Sequence, residues 1–273
     1  MICMRRGASP GAAARQPKSP ALFLSGFLLA LPLLALGDSQ QTPTIGVWPT
    51  LRPHFYGTRS ISEEGDALMN VEAPGSTPDP SATPVTIHFG EGLAATLKQV
   101  RVIIDNNPSP LVATFDMSPT LPVDQIDLRV RIDRFTSVRA IAETTDGHLE
   151  MRSTWVNASG GCSTPPSASS GGTLGEIRFR PSAGGKVLQV SIRHPNNSGF
   201  QIDPRTGDAI APHFISHITL RAGEKTVLAA DTGISISENP TLRIAARTPL
   251  PAPLTVEATD VPTQARYTAT WNP

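Results

Sequence analysis

Ile126-Asp127-Leu128-Arg129-Val130-Arg131-Ile132 alternates aliphatic and charged side chains without a break. A period of two sends the aliphatic residues to one face and Asp127, Arg129 and Arg131 to the other, as in a strand with one buried face. Short runs of the same kind lie around it: Ala67 to Glu72, Val85 to Phe89, Leu97 to Ile104, Leu111 to Phe115, Ser137 to Glu143 and His148 to Val156. Turn formers separate them. Asp105-Asn106-Asn107-Pro108 reads as a turn, and Asp146-Gly147 as a two-residue hairpin loop with positive φ at both positions. Strands this short and this frequent predict an antiparallel β-sandwich over residues 66–158.

Composition agrees. The chain has 273 residues with 27 Pro and 22 Gly and no collagen-like period. That level disfavours a mainly helical protein and favours short strands joined by turns. No segment after Gly37 keeps a 3.6-residue period long enough for a substantial helix. Residues 38–65, which include IGVWPTLRPHFYG, read as an ordered but irregular lead-in. With 39% hydrophobic residues the chain can bury a core, whereas 23 basic against 23 acidic side chains leave no basic face for nucleic acid.

A break follows at residues 159–175, SGGCSTPPSASSGGTLG, which has little apolar surface and reads as a flexible linker. Strand-like runs resume at Val187 to Ile192, Phe214 to Arg221, Lys225 to Ala230, Leu242 to Ala246, Leu254 to Ala258 and Arg266 to Trp271. Between the first two lies a turn-rich insertion with a hairpin tip at Thr206-Gly207-Asp208. Residues 176–273 are therefore expected to form a second sandwich, making the chain all-β.

Residues 1–37 carry an export pattern. Arg5, Arg6, Arg15 and Lys18 precede the apolar run Ala21 to Leu36, and Ala35 and Gly37 fit a signal-peptidase site before Asp38. The alternative, an uncleaved anchor, is opposed by the shortness of the run and its internal Pro32. Cleavage near Gly37 leaves 19 basic and 23 acidic residues, and removes Cys3. One cysteine, Cys162, then remains in an exported chain and has no internal partner.

Gly160 and Gly161 precede that cysteine, which places a thiol on an arm free of bulky neighbours. No Lys, Arg or His lies within five residues, so an ordinary thiol near about 8.5 is expected. The bland alternative is a small apolar side chain in a loop. A cysteine hydrolase would need a histidine held against the sulfur, and nothing in the sequence places His194, His213 or His217 there. His213 and His217 share one strand face but lack an evident third ligand, so ordinary histidines are expected and no metal. No calcium loop, phosphate loop, nucleophile elbow or other cofactor motif is present.

Two sets of motifs resemble known proteins. IRHPNNSGF, AIAPHFI, ISISENPTLRI and the final TATW, in that order, resemble SoxZ; RVIIDNNPSPLVATFDMSP, VRAIAETTDGHL and ASGGC resemble SoxY. The resemblance implies two immunoglobulin-like β-sandwiches, here fused in one chain as in the SoxYZ-like carriers associated with quinoprotein alcohol dehydrogenases. It implies a periplasmic carrier without turnover of its own, with a sulfur-containing group held on Cys162 and Gly160 and Gly161 forming the carrier arm. Implied partners are periplasmic redox or sulfur-transfer enzymes, including c-type cytochromes or a quinoprotein dehydrogenase, with no nucleic acid and no membrane once the leader is removed. In the separate carrier the arm ends the chain; here it runs on through Ser163-Thr164-Pro165-Pro166 and is tethered at both ends.

Overall fold

The computed structural model describes residues 46–63, 68–167 and 172–273. Residues 1–37, read above as an export pattern, the first part of the lead-in, Ala67 and the middle of the linker lie outside the described residues. Fourteen strands follow in order among the described residues: β1 Met69–Glu72, β2 Thr83–Phe89, β3 Leu97–Ile104, β4 Leu111–Met117, β5 Val123–Val130, β6 Thr136–Thr144 and β7 Leu149–Val156, then β8 Ile177–Ser182, β9 Val187–Ile192, β10 Phe214–Ala222, β11 Lys225–Thr232, β12 Thr241–Ala246, β13 Leu254–Val261 and β14 Arg266–Trp271. The chain is all-β, as its periodicity and turns predicted.

The strands make two sheets, β1-β2-β5-β12-β9-β8 and β14-β13-β10-β11-β4-β3-β6-β7. Each sheet takes strands from both halves of the chain. The sandwiches are joined edge to edge: Leu128 faces Leu242 and Ile126 faces Ile244 across β5 and β12, while Phe115 faces Ala230 across β4 and β11. The alternation that predicted β5 explains this, because Ile126, Leu128 and Val130 all point into the core. One cluster of buried aliphatic side chains runs between the sheets through both halves, from Ile87 and Val102 to Leu220, Ile244 and Val256.

Four local expectations are corrected. The lead-in contains a nine-residue helix, α1, Trp48–Tyr56. Pro49 is tolerated in its first turn, where an N–H would have no partner, and Gly57 at φ 58 ends it. Trp48 and Tyr56 pack on Ile103, Ile141, Leu149 and Met151, with Arg139 4.7 Å from the Trp48 ring. The loop after β6 has three residues, since Thr144 N–H donates to His148 O, and only Gly147 takes positive φ. β8 was not foreseen. Lastly, β5 stops at Val130, so Arg131 does not follow Arg129 onto the outer face.

Candidate site: the buried Cys162 loop

Arg131 turns inward because the chain leaves the sheet there. Its N–H donates to Ser235 O, and the next residue, Ile132, donates to Pro80 O. Asn107 fixes the departure by donating from Nδ2 to Arg131 O at 2.7 Å and accepting Asp133 N–H at 2.9 Å. The Asp105-Asn106-Asn107-Pro108 turn thus positions the site.

Gly160 and Gly161 add to this exit strand. Their N–H groups donate to Asp133 O at 2.7 Å and Ile132 O at 2.8 Å. A Cβ on Gly161 would lie 2.1 Å from Pro80 O and 2.6 Å from Ile132 O, so only glycine fits between these backbones. Gly160 has φ +80, and a Cβ there would only touch Ser163 Oγ at 3.8 Å, an ordinary contact. The chain then turns, with Ser163 and Thr164 N–H both donating to Gly160 O. Cys162 lies inside this turn and is 0% exposed.

The expected mobile, solvent-facing arm is therefore corrected over residues 159–167, whose backbone is docked. Docking removes sulfur from water. Burial pushes the Cys162 thiol up to about 12; Asp133 adds to the rise and Arg131 opposes it. The ordinary thiol expected from sequence neighbours is replaced by one that stays protonated at neutral pH while the loop is closed.

Arg131 is the group that sequence reasoning missed. It is 1% exposed and donates from Nη1 to Gly161 O at 3.1 Å and Thr164 O at 3.4 Å, and from Nη2 to Asn196 O at 3.4 Å. Its Nε has no partner. Burial lowers its pKa, and Cys162, Glu238 and Asp79 act in the opposite sense. A buried cation held mainly by carbonyl dipoles is costly, and any negative charge formed on the sulfur would relieve that cost.

The second half supplies the floor of the loop. Ser198 Oγ donates to Cys162 O, and Ser167 donates from N and Oγ to the Glu238 carboxylate at 2.7 Å and 2.9 Å. Asn196, at φ 46 and fully buried, donates from Nδ2 to Ile236 O and accepts Ile215 N–H. The HPNNS segment is thus a bracket for the Cys162 loop.

Behind the bracket, His194 and His213 meet Asp260. His213 Nε2 is 2.8 Å from Asp260 Oδ2, and His194 Nε2 is 3.2 Å from His213 Nε2 and 3.5 Å from Asp260 Oδ2. These distances would suit a metal, but the protons do not. Asn196 N–H donates to His194 Nδ1 at 3.1 Å, which leaves the ring proton on Nε2, pointing into the cluster. A ligating histidine has the reverse arrangement, with a free lone pair inward and a proton outward. Burial, then His213, lowers the His194 pKa and keeps it neutral. Burial alone would raise Asp260, but hydrogen bonds from Thr263, His213, Tyr267 and Ala265 outweigh it and hold the carboxyl well below the usual range. The cluster is a buried carboxylate with its donors. His217, expected to resemble His213, instead pairs with exposed Asp231 at 2.6 Å. No histidine bonds to the Cys162 sulfur among the described residues.

Comparison with known proteins follows this division. The family model "Sulfur oxidation protein SoxY" matches residues 52–162, ending on Cys162, and "Sulphur oxidation protein SoxZ" matches residues 179–270. No curated protein matches. Among solved structures, the sulfur carrier SoxY from Chlorobium limicola f thiosulfatophilum is 20% identical, covers 40% of this chain and 93% of its own, and has a TM-score of 0.34. A putative superoxide reductase from Thermotoga maritima is 14% identical over 36% of this chain and 92% of its own, with a TM-score of 0.31. A superoxide reductase (neelaredoxin) from Ignicoccus hospitalis is 10% identical over 33% and 78%, with a TM-score of 0.29. The two family models lie in tandem and together account for most of the described chain, so the chain belongs to the SoxYZ-like carrier family of sulfur oxidation, with a SoxY domain and a SoxZ domain in one polypeptide.

Proposed function

We propose that the protein is exported to the periplasm and carries a sulfur-containing group covalently on Cys162, presenting it to partner enzymes. The observation that carries this reading is the position of Cys162: a free thiol behind Gly160 and Gly161, at the last residue of the SoxY match. Joining this thiol to the terminal sulfur of the thiosulfate dianion breaks the S–H bond, forms one S–S bond and releases two electrons and one proton. An electron-transfer partner, such as a c-type cytochrome, must accept the electrons. Because Cys162 is buried, loading requires the 159–167 loop to undock, and Arg131 then faces the group that docks back. The test is intact-mass measurement on protein taken from the periplasm without reductant, from cells grown on thiosulfate and on alcohol. An adduct that reductant removes and Cys162→Ser abolishes is expected; bare protein under every growth condition rejects the reading.

The complete burial of Cys162 favours a second reading, in which the thiol is structural and the protein is a non-covalent accessory of a periplasmic quinoprotein dehydrogenase. On that reading Cys162→Ser keeps function in cells and still co-purifies with the dehydrogenase.

A further inference from the structure

The outer face of the six-stranded sheet is grooved. A depression of about 650 Å3 crosses it from β2 to β8, over the seam where β5 meets β12. Its floor is polar. On consecutive strands, Asp127 lies opposite Arg243, Arg243 opposite Gln189, and Gln189 opposite Arg180. Arg243 is neutralised by Asp127 at 2.5 Å, and Arg178 at the groove edge by Glu176 at 2.8 Å.

Two arginines are not neutralised. The side chains of Arg129 on β5 and Arg180 on β8 are exposed and have neither an ion pair nor a hydrogen bond among the described residues. One comes from the SoxY half and the other from the SoxZ half. Three strand steps and a two-residue offset along the strand separate them, because Arg180 is in register with Asp127, so their backbones lie about 16 Å apart at the usual spacings. An inorganic oxyanion is too small to span that distance. An extended polypeptide advances about 3.3 Å per residue, so carboxylates about four to five residues apart reach both guanidiniums. Ser191, Thr241 and Gln189 between them offer hydroxyl and amide groups to its backbone.

We propose that this groove docks an extended acidic segment of a partner protein, with Arg129 and Arg180 each receiving a carboxylate. The groove also adjoins the thiol loop. Arg129 O accepts Ser237 N–H at 3.1 Å, and the next residue, Glu238, holds Ser167 downstream of Cys162. Docking here brings a partner alongside the loop, yet it does not depend on Cys162 carrying sulfur.

The experiment measures fluorescence anisotropy of labelled octaglutamate with the purified protein, at low and high salt. Saturable binding that weakens with salt is expected, with a loss of about tenfold in the double variant Arg129→Gln/Arg180→Gln. Arg205→Gln, outside the groove, and Cys162→Ser are expected to bind like the original, which keeps this test separate from that of the carrier reading. Equal binding by the double variant overturns the proposal. So does full displacement of the peptide by equimolar inorganic sulfate at constant ionic strength, which would make the groove a small-anion site.

Discussion

The guanidinium of Arg131 grips the backbone on both sides of Cys162, at Gly161 O and at Thr164 O. A third donation, to Asn196 O, ties the same cation to the SoxZ half. One side chain therefore links the sheet exit, the thiol loop and the bracket beneath it. Removing it leaves three buried or half-buried carbonyls without that donor, at about 1–3 kcal/mol for each group that stays dry.

Arg131→Met should loosen the loop. We expect iodoacetamide to modify Cys162 at least about tenfold faster than in the original at neutral pH, because labelling proceeds through local opening. Mass spectrometry of timed samples measures this. An unchanged rate would show that the cation does not keep the loop closed.

Gly161→Ala and Gly160→Ala should differ. At Gly161 the new methyl meets backbone oxygens on two sides, and we expect a loss of about 2–3 kcal/mol together with an exposed thiol. At Gly160 the methyl makes only an ordinary contact with Ser163 Oγ, and only the left-handed backbone costs, about 1–2 kcal/mol. Urea unfolding and thiol labelling of both variants provide the check; equal labelling rates would contradict the close fit at Gly161.

The raised thiol pKa predicts a stability change with a definite sign. Between the ordinary cysteine range near 9.0 and about 12, the unfolded chain loses this proton while the folded chain keeps it. The contribution is complete below pH 9 and is lost as pH rises towards 12, at a slope approaching about 1.4 kcal/mol per pH unit. Tyr56 and Tyr267, also raised to about 12, add slopes of the same sign. Denaturation of Cys162→Ser should therefore show a flatter decline than the original across that window.

Asp260→Asn removes the charge on which His213, Tyr267, Thr263 and Ala265 converge. A loss of about 2–4 kcal/mol is expected, whereas Asp231→Asn at the exposed His217 pair should cost under about 1 kcal/mol. Chemical denaturation at neutral pH distinguishes them.

What was legible in the sequence depended on how local its cause was. β3, β9 and β14 could be read to their exact ends, because in each case the strand-like run gives way within three residues to Asn or Pro. β8 escaped because it is a short edge strand: Ile177 and Phe179 are its only large apolar residues, both half-buried, and its Pro181 is tolerated at a sheet edge. Helix α1 was masked by Pro49 and Pro53, although Trp48 and Tyr56 fall on one face. The Cys162 environment was invisible for a different reason. Pro80, Arg131 and Ser198, which enclose it, are distant in sequence, and the Gly-Gly pair that reads as freedom is equally what a close backbone crossing requires.

The shared sheets also have a consequence for stoichiometry. Two separate subunits that met along β4–β11 and β5–β12 would part on dilution, at a point set by their dissociation constant. Written into one chain, the same pairing is a unimolecular equilibrium governed by an effective concentration. The thiol loop and its bracket stay together, one of each, however few molecules a compartment holds.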